Sequence, residues 1–165
     1  MITIWGTMEP NIGISTQNRK KIVDILVRLV SDEYLLYTKT RNYHWNVTGI
    51  QFNDLHKFFE SQYEELDTAI DDVAERIREL GSKSVATLGE FIKHGKIKEE
   101  PGRYPDAKTM LTNLLHDHEY VIRALRADVD ACTKYNDAGT ADFLTGLMEQ
   151  HEKMAWMLRS FLDVM

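Results

Sequence analysis

Residues 53–81, "NDLHKFFESQYEELDTAIDDVAERIRELG", carry two interleaved stripes, and together they decide the fold. The apolar stripe is Phe59, Tyr63, Leu66, Ile70, Val73, Ile77 and Leu80. Steps of four and three keep these side chains along one seam, the pattern of a helix packed on other helices. A strand would alternate with a period of two. Gly81 follows in the position of a C-terminal cap. The polar stripe is His56, Glu60, Glu64, Asp67, Asp71 and Glu75, again at steps of four and three, so all six side chains share one helical face.

The same periodicity continues outward. Ile22, Ile25, Leu26, Leu29, Leu36, Tyr37 and Tyr43 place a first helix from a cap at Ser15 or Thr16 to about Asn46. "NVTG" at 46–49 ends it, with Gly49 free to adopt backbone conformations that other residues avoid. Residues 82–105 mix a short helix candidate, "VATLGEFIKH", with the loop "KEEPGRYP". Asp106 opens a third long helix through Leu111, Leu114, Leu115, Val121, Ile122, Leu125 and Val129. "YNDAGTAD" at 135–142 breaks it, and a fourth runs from about Thr140 through Leu144, Leu147, Met154, Leu158, Phe161 and Leu162. The expectation is an all-α chain. Residues 16–165 form a four-helix bundle with a short extra helix between the second and third, and residues 1–15 a flexible N-terminal arm.

Composition narrows the function classes. The 165 residues suffice for one domain with a real core, and 43% of them are apolar. A net charge of −6 argues against a surface built mainly for phosphate backbones. Cys132 is alone and suits a reducing compartment. "MITIWGTMEPNIGIS" lacks the basic start and apolar run of a secretory signal, and no apolar stretch reaches the roughly 18 residues of a membrane span. Cytoplasm is the expected address.

Acidic runs are commonly solvated faces, and like charges at i,i+4 cost a helix a few tenths of a kcal/mol per pair. Carboxylates with a few imidazoles also suit ferrous iron, manganese or zinc, and no cysteine cluster points to a structural zinc site. Geometry constrains the second reading. At about 1.5 Å per residue, His56 and Asp71 stand roughly 22 Å apart on an unbroken helix, whereas metal–ligand bonds are about 2 Å. One chain cannot close the site. Two can, if their second helices cross antiparallel about a two-fold axis near Glu64 and Glu65, with His56 of one copy meeting Asp71 and Glu75 of the other. His44, on the first helix just across the loop, is free to join His56.

"YHWNVTGIQFNDLH" followed by "DDVAERIRELG" strongly resembles the Dps proteins, the miniferritins named for DNA binding in starved cells. The specific features are H-W-N, a second histidine twelve residues after the first, and D-x-x-x-E-R before L-G. The resemblance implies a ferritin-like bundle assembled as a hollow homododecamer, with ferroxidase centres at two-fold dimer interfaces. It places catalytic metal ligands at His44, His56, Asp71 and Glu75, with Glu60 where many relatives have aspartate. It also implies ferrous iron as substrate, two ions per centre, hydrogen peroxide as preferred oxidant over dioxygen, and a stored ferric mineral. Zinc or manganese can substitute for iron. Trp45 is then a candidate radical quencher, Asp137 and Asp142 candidate pore residues, and Glu60 and Glu64 candidate nucleation residues. Trp45 reads equally as an interface aromatic, and Asp137 as an ordinary helix cap.

His118 and His151 fall on apolar faces and read as satisfied core histidines. A ferritin-type site inside the bundle uses Glu-x-x-His motifs, and the sequence contains none. The alternative function is a nucleoid-associated, DNA-compacting protein with secondary ferroxidase activity. Residues 1–18 hold no Lys or Arg, and twelve subunits at −6 each would carry about −72. Direct DNA binding is therefore not expected, short of a local patch from Lys93, Lys96, Lys98 and Arg103.

Overall fold

The helices pack as two hairpins laid against each other, and the computed structural model describes residues 9–163. α1 spans Thr16–Asn46, α2 Phe52–Glu79, α3 Leu88–His94, α4 Ala107–Lys134 and α5 Ala138–Leu162, with no strand among the described residues. α1 pairs with α2, α4 pairs with α5, and the short α3 lies against α1. Links of a few residues make each pair antiparallel neighbours.

Local chemistry sets the ends. The Ser15 hydroxyl accepts from the Asn18 amide, and the Asp106 and Asp137 carboxylates accept from Thr109 and Thr140. Thr87 and Glu90 cap α3 reciprocally. α5 therefore begins at Ala138, two residues before the expected Thr140, because Asp137 is its cap. Gly81 closes α2 at φ +86, where a Cβ would sit 2.6 Å from Pro10, so glycine is required twice over. That contact also involves the segment before α1. Residues 1–8 lie outside the described residues, but 9–15 are held: Arg19 donates to the carbonyls of Pro10 and Ile14 and pairs with Glu9.

The core is the shared seam of the four long helices, including Ile22, Leu26, Leu29 and Leu36 with Leu66, Val73, Leu111, Leu114, Leu144 and Leu158. Two polar networks are buried in it. Asp32, fully buried, accepts from the amides of Lys96 and Ile97, from Arg28 and from Tyr120, and so clamps the segment after α3 onto α1 and α4. Glu33, His118 and His151 meet mid-bundle, all at zero exposure. Glu33 Oε1 lies 2.9 Å from His151 Nε2, and His151 Nδ1 lies 2.9 Å from His118 Nδ1. The carboxylate can only accept, so His151 donates to it and in turn accepts from His118. His118 Nε2 then holds a lone pair with no partner, as does Glu33 Oε2. His151 is a satisfied core histidine; His118 is half satisfied.

Burial, and secondarily His151, holds His118 well below its ordinary 6.5. Above pH 6.5 the residue is neutral folded or unfolded and contributes no pH dependence. As pH falls below 6.5, the unfolded chain takes the proton first, so stability drops until the folded pKa is reached. The expected slope from this group is about 1.4 kcal/mol per pH unit. Denaturant unfolding at stepped pH should show this loss in the parent and a shallower one in His118→Gln; equal slopes would contradict the assignment.

Candidate metal centre

The α1–α2 turn brings two imidazoles into contact. Val47 is buried and caps α1 by donating to the Tyr43 carbonyl, and Gly49 at φ +107 reverses the chain. His44, in the last turn of α1, and His56, in the second turn of α2, then stack at 3.8 Å between ring centroids and 19° between planes. Each holds the other. His44 Nδ1 donates to the His56 carbonyl at 2.7 Å, and His56 Nδ1 donates to the His44 carbonyl at 2.8 Å. A carbonyl only accepts, so each ring carries a proton on Nδ1, and in the neutral ring the lone pair is the one on Nε2. This is how a protein prepares neutral imidazoles for a metal ion: the other ring nitrogen fixes tautomer and orientation.

Aromatic rings enclose the pair. Phe52 stacks on His56 at 5.2 Å, and Tyr63 presents its edge to His44 at 5.3 Å and 80°. The Tyr63 hydroxyl makes a long hydrogen bond, 3.4 Å, to Glu60 Oε1. Desolvation, then the Glu60 carboxylate, pushes the Tyr63 phenol above its ordinary 10.0. The Arg41 guanidinium lies over the rings of Trp45, Tyr63 and Tyr37 at 4.9, 5.0 and 5.5 Å.

The structure brings His44, His56 and Glu60 to one end of the α1–α2 hairpin. It does not bring Asp71 and Glu75 there. α2 is unbroken from Phe52 to Glu79, so the two acids stand about 22 Å or more along the axis from His56, exposed and in no ion pair among the described residues. Glu64 and Asp67 lie exposed between them. Among the described residues no three His, Cys, Asp or Glu side chains of one copy gather into a metal-binding group. Each chain thus presents two imidazoles, His44 from α1 and His56 from α2, at one end of the hairpin, and the carboxylates of Asp71 and Glu75, in no ion pair among the described residues, further along α2.

Trp45 is 64% exposed, and its ring packs on Arg41; the rings against His44 are those of His56 and Tyr63. Asp137 is 2% exposed and fully engaged, accepting from the Thr140 amide and pairing with Arg76. It is a helix cap with no free carboxylate for a pore wall, whereas Asp142 is exposed. Lys93, Lys96, Lys98 and Arg103 are exposed, but Lys96 and Lys98 share their cavity with Glu100 and Asp117, and Arg103 pairs with Glu100. Tyr63, Phe52 and Arg41 were absent from the expected site. Tyr63 belongs to the apolar stripe by spacing, and only its position three residues after Glu60 signals that it borders the polar one.

A ferritin-like domain profile matches residues 23–165. A low temperature-induced protein of Nostoc sp. is 46% identical over 154 residues, covering 93% of this chain and 86% of the relative. The "DNA protection during starvation protein 2" of Bacillus anthracis is 38% identical over 145 residues, covering 87% and 98%. Among solved structures, the Vibrio cholerae Dps protein, described as belonging to the ferritin-like diiron-carboxylate proteins, superposes with a TM-score of 0.88 at 29% identity, covering 94% and 98%.

If the two imidazoles are prepared ligands, His44→Ala removes one nitrogen and the ring that backs the other. Zinc affinity of the assembled protein should fall at least about tenfold, read by titration calorimetry. Unchanged affinity would place the metal elsewhere.

Proposed function

The chain belongs to the Dps proteins of the ferritin-like family, and we propose that it oxidises ferrous iron at centres shared between two copies and stores the ferric product. The observation that carries this reading is the reciprocal His44–His56 clamp, which engages both Nδ1 atoms and leaves each Nε2 for a metal ion. Asp71 and Glu75 of a second copy would supply negative charge, and Glu60 would add a carboxylate from the histidine side. Two imidazoles with several carboxylates fit ferrous iron and its harder ferric product, and with few protein ligands the iron keeps open positions for an oxidant.

Hydrogen peroxide needs two electrons, and two ferrous ions held together supply both, so no one-electron oxygen radical is released. This pairing protects a cell by removing iron and peroxide at once, and peroxide is our proposed oxidant ahead of dioxygen. A two-fold crossing of α2 helices makes two equivalent centres per dimer, and a closed dodecameric shell is the assembly we propose around them. Asp142 is the pore residue we retain, and Glu64, exposed on the α2 stripe, the nucleation residue. Among the described residues no helix is long and apolar enough to cross a membrane, and the address we propose is the cytoplasm. Direct DNA binding does not follow: the lysines after α3 are interleaved with acids and the chain carries −6.

The test is anaerobic ferrous iron plus peroxide, followed by ultraviolet absorbance of the ferric product. The His44→Ala/His56→Ala double variant should oxidise iron at least about tenfold more slowly than the parent, as removal of ligands and their supports does. Equal rates would rule out this centre.

A further inference from the structure

We propose that Arg41 pairs with Asp67 of the partner subunit, and that this ion pair, made twice about the two-fold axis, sets the register in which two copies close their shared centres. The inference rests on the proposed crossing of two α2 helices and assigns residues that the ferroxidase reading leaves without a role.

Such a crossing has an electrostatic cost. The polar stripe of α2 carries five carboxylates, Glu60, Glu64, Asp67, Asp71 and Glu75, and a two-fold crossing lays two such stripes together. Like charges set against each other across an interface oppose binding. Metal ions offset this toward the ends, where Glu60, Asp71 and Glu75 are the proposed ligands. Asp67 lies between those ends, exposed and in no ion pair among the described residues. Its counter-charge has to come from a side chain.

Most cations near that stripe are already committed. Lys39 pairs with Asp117 of α4, Arg76 pairs with Asp137 and Glu79, and Arg78 donates to the Ser82 carbonyl past the end of α2. Arg41 has no acid partner among the described residues. Its guanidinium is held over Trp45, Tyr63 and Tyr37, and Nη1 donates to the Tyr37 hydroxyl at 2.6 Å, while Nε is buried without a partner. A planar guanidinium stacked on rings is fixed in direction, so it loses little freedom when an acid arrives.

Register then selects the acid. With the axis between Glu64 and Glu65, Tyr63 of one copy stands level with Leu66 of the other. The partner subunit's Asp67 is one residue from that level, about 1.5 Å along the axis, whereas the chain's own Asp67 is four residues on, about 6 Å. Arg41 lies 5.0 Å from the Tyr63 ring, on the level of the partner's acid. Lys57, beside His56, lies off the stripe and about 8 Å short of the same level. A slip of α2 by one turn would break both ion pairs and carry the partner's carboxylates away from the imidazoles together.

Native mass spectrometry over a dilution series tests the pair. Arg41→Glu sets acid against acid and Asp67→Arg cation against cation, so each variant alone should dimerise at least about tenfold more weakly than the parent. Mixed together, the two should pair with each other, since both contacts then join one acid to one guanidinium, and peroxide-driven iron oxidation should return. The double variant Arg41→Glu/Asp67→Arg should assemble with itself and, when co-expressed with the parent, exclude it. That last comparison decides the matter even if a single variant does not fold by circular dichroism. Single variants that dimerise like the parent, or a double variant that mixes freely with it, would overturn the ion pair alone. A parent that stays monomeric, or whose assemblies leave iron ferrous, would overturn the shared-centre reading beneath it.

Discussion

A straight helix holds its ends apart, and α2 does so across 28 residues without a break. Its rise of about 1.5 Å per residue separates His56 from Asp71 and Glu75 by more than ten metal–ligand bond lengths. No rotamer closes that distance. The same rigidity that lets α2 present one apolar seam to the core makes its polar face a ruler with donors at both ends. A chain with such a face can hold a multi-ligand ion only by meeting a second chain, and a two-fold crossing is the arrangement in which each ruler completes the other.

The rest of the fold serves the histidine end of that ruler. Caps fix where α1 and α2 stop and start, the buried Val47 and the left-handed Gly49 set the turn, and the reciprocal Nδ1–carbonyl bonds lock both rings at once. The acid end has no such lock: Asp71 and Glu75 are exposed on α2. Around the histidines, Phe52 and Tyr63 pack on the two rings, while Arg41 gathers three aromatic faces beside them. The histidine pair therefore borders a group of packed aromatic rings.

Much of this was legible in the residues. Spacing alone placed five helices within a few positions and separated the two stripes of α2, since periods of three and four have one structural meaning. Helix rise alone ruled out His56 meeting Asp71 or Glu75 of the same chain at one ion. The limits were equally physical. Tyr63 and Ile70 are only partly buried although they keep the seam's spacing, while Leu55, Phe58 and Ala69 are buried outside it, because α2 packs on more than one neighbour. Spacing says nothing of carbonyl acceptors, so the His44–His56 clamp could not be read. Asp137 looked like a pore acid or a cap, and only Arg76, 61 residues away, shows that its carboxylate is committed. The Glu33–His151–His118 chain joins three helices distant in sequence, which no local motif encodes.

Sharing of the centre between copies can be measured by mixing two defective proteins. One carries His44→Ala/His56→Ala and lacks the imidazole half; the other carries Asp71→Asn/Glu75→Gln and lacks the acid half. In a dimer built from one of each, one centre loses both halves and the other draws its histidines and acids from the intact ends. Co-assembled protein should therefore recover iron oxidation that neither variant shows alone. Mixed assemblies, verified by native mass, that stay as inactive as their components would contradict a centre divided between two chains.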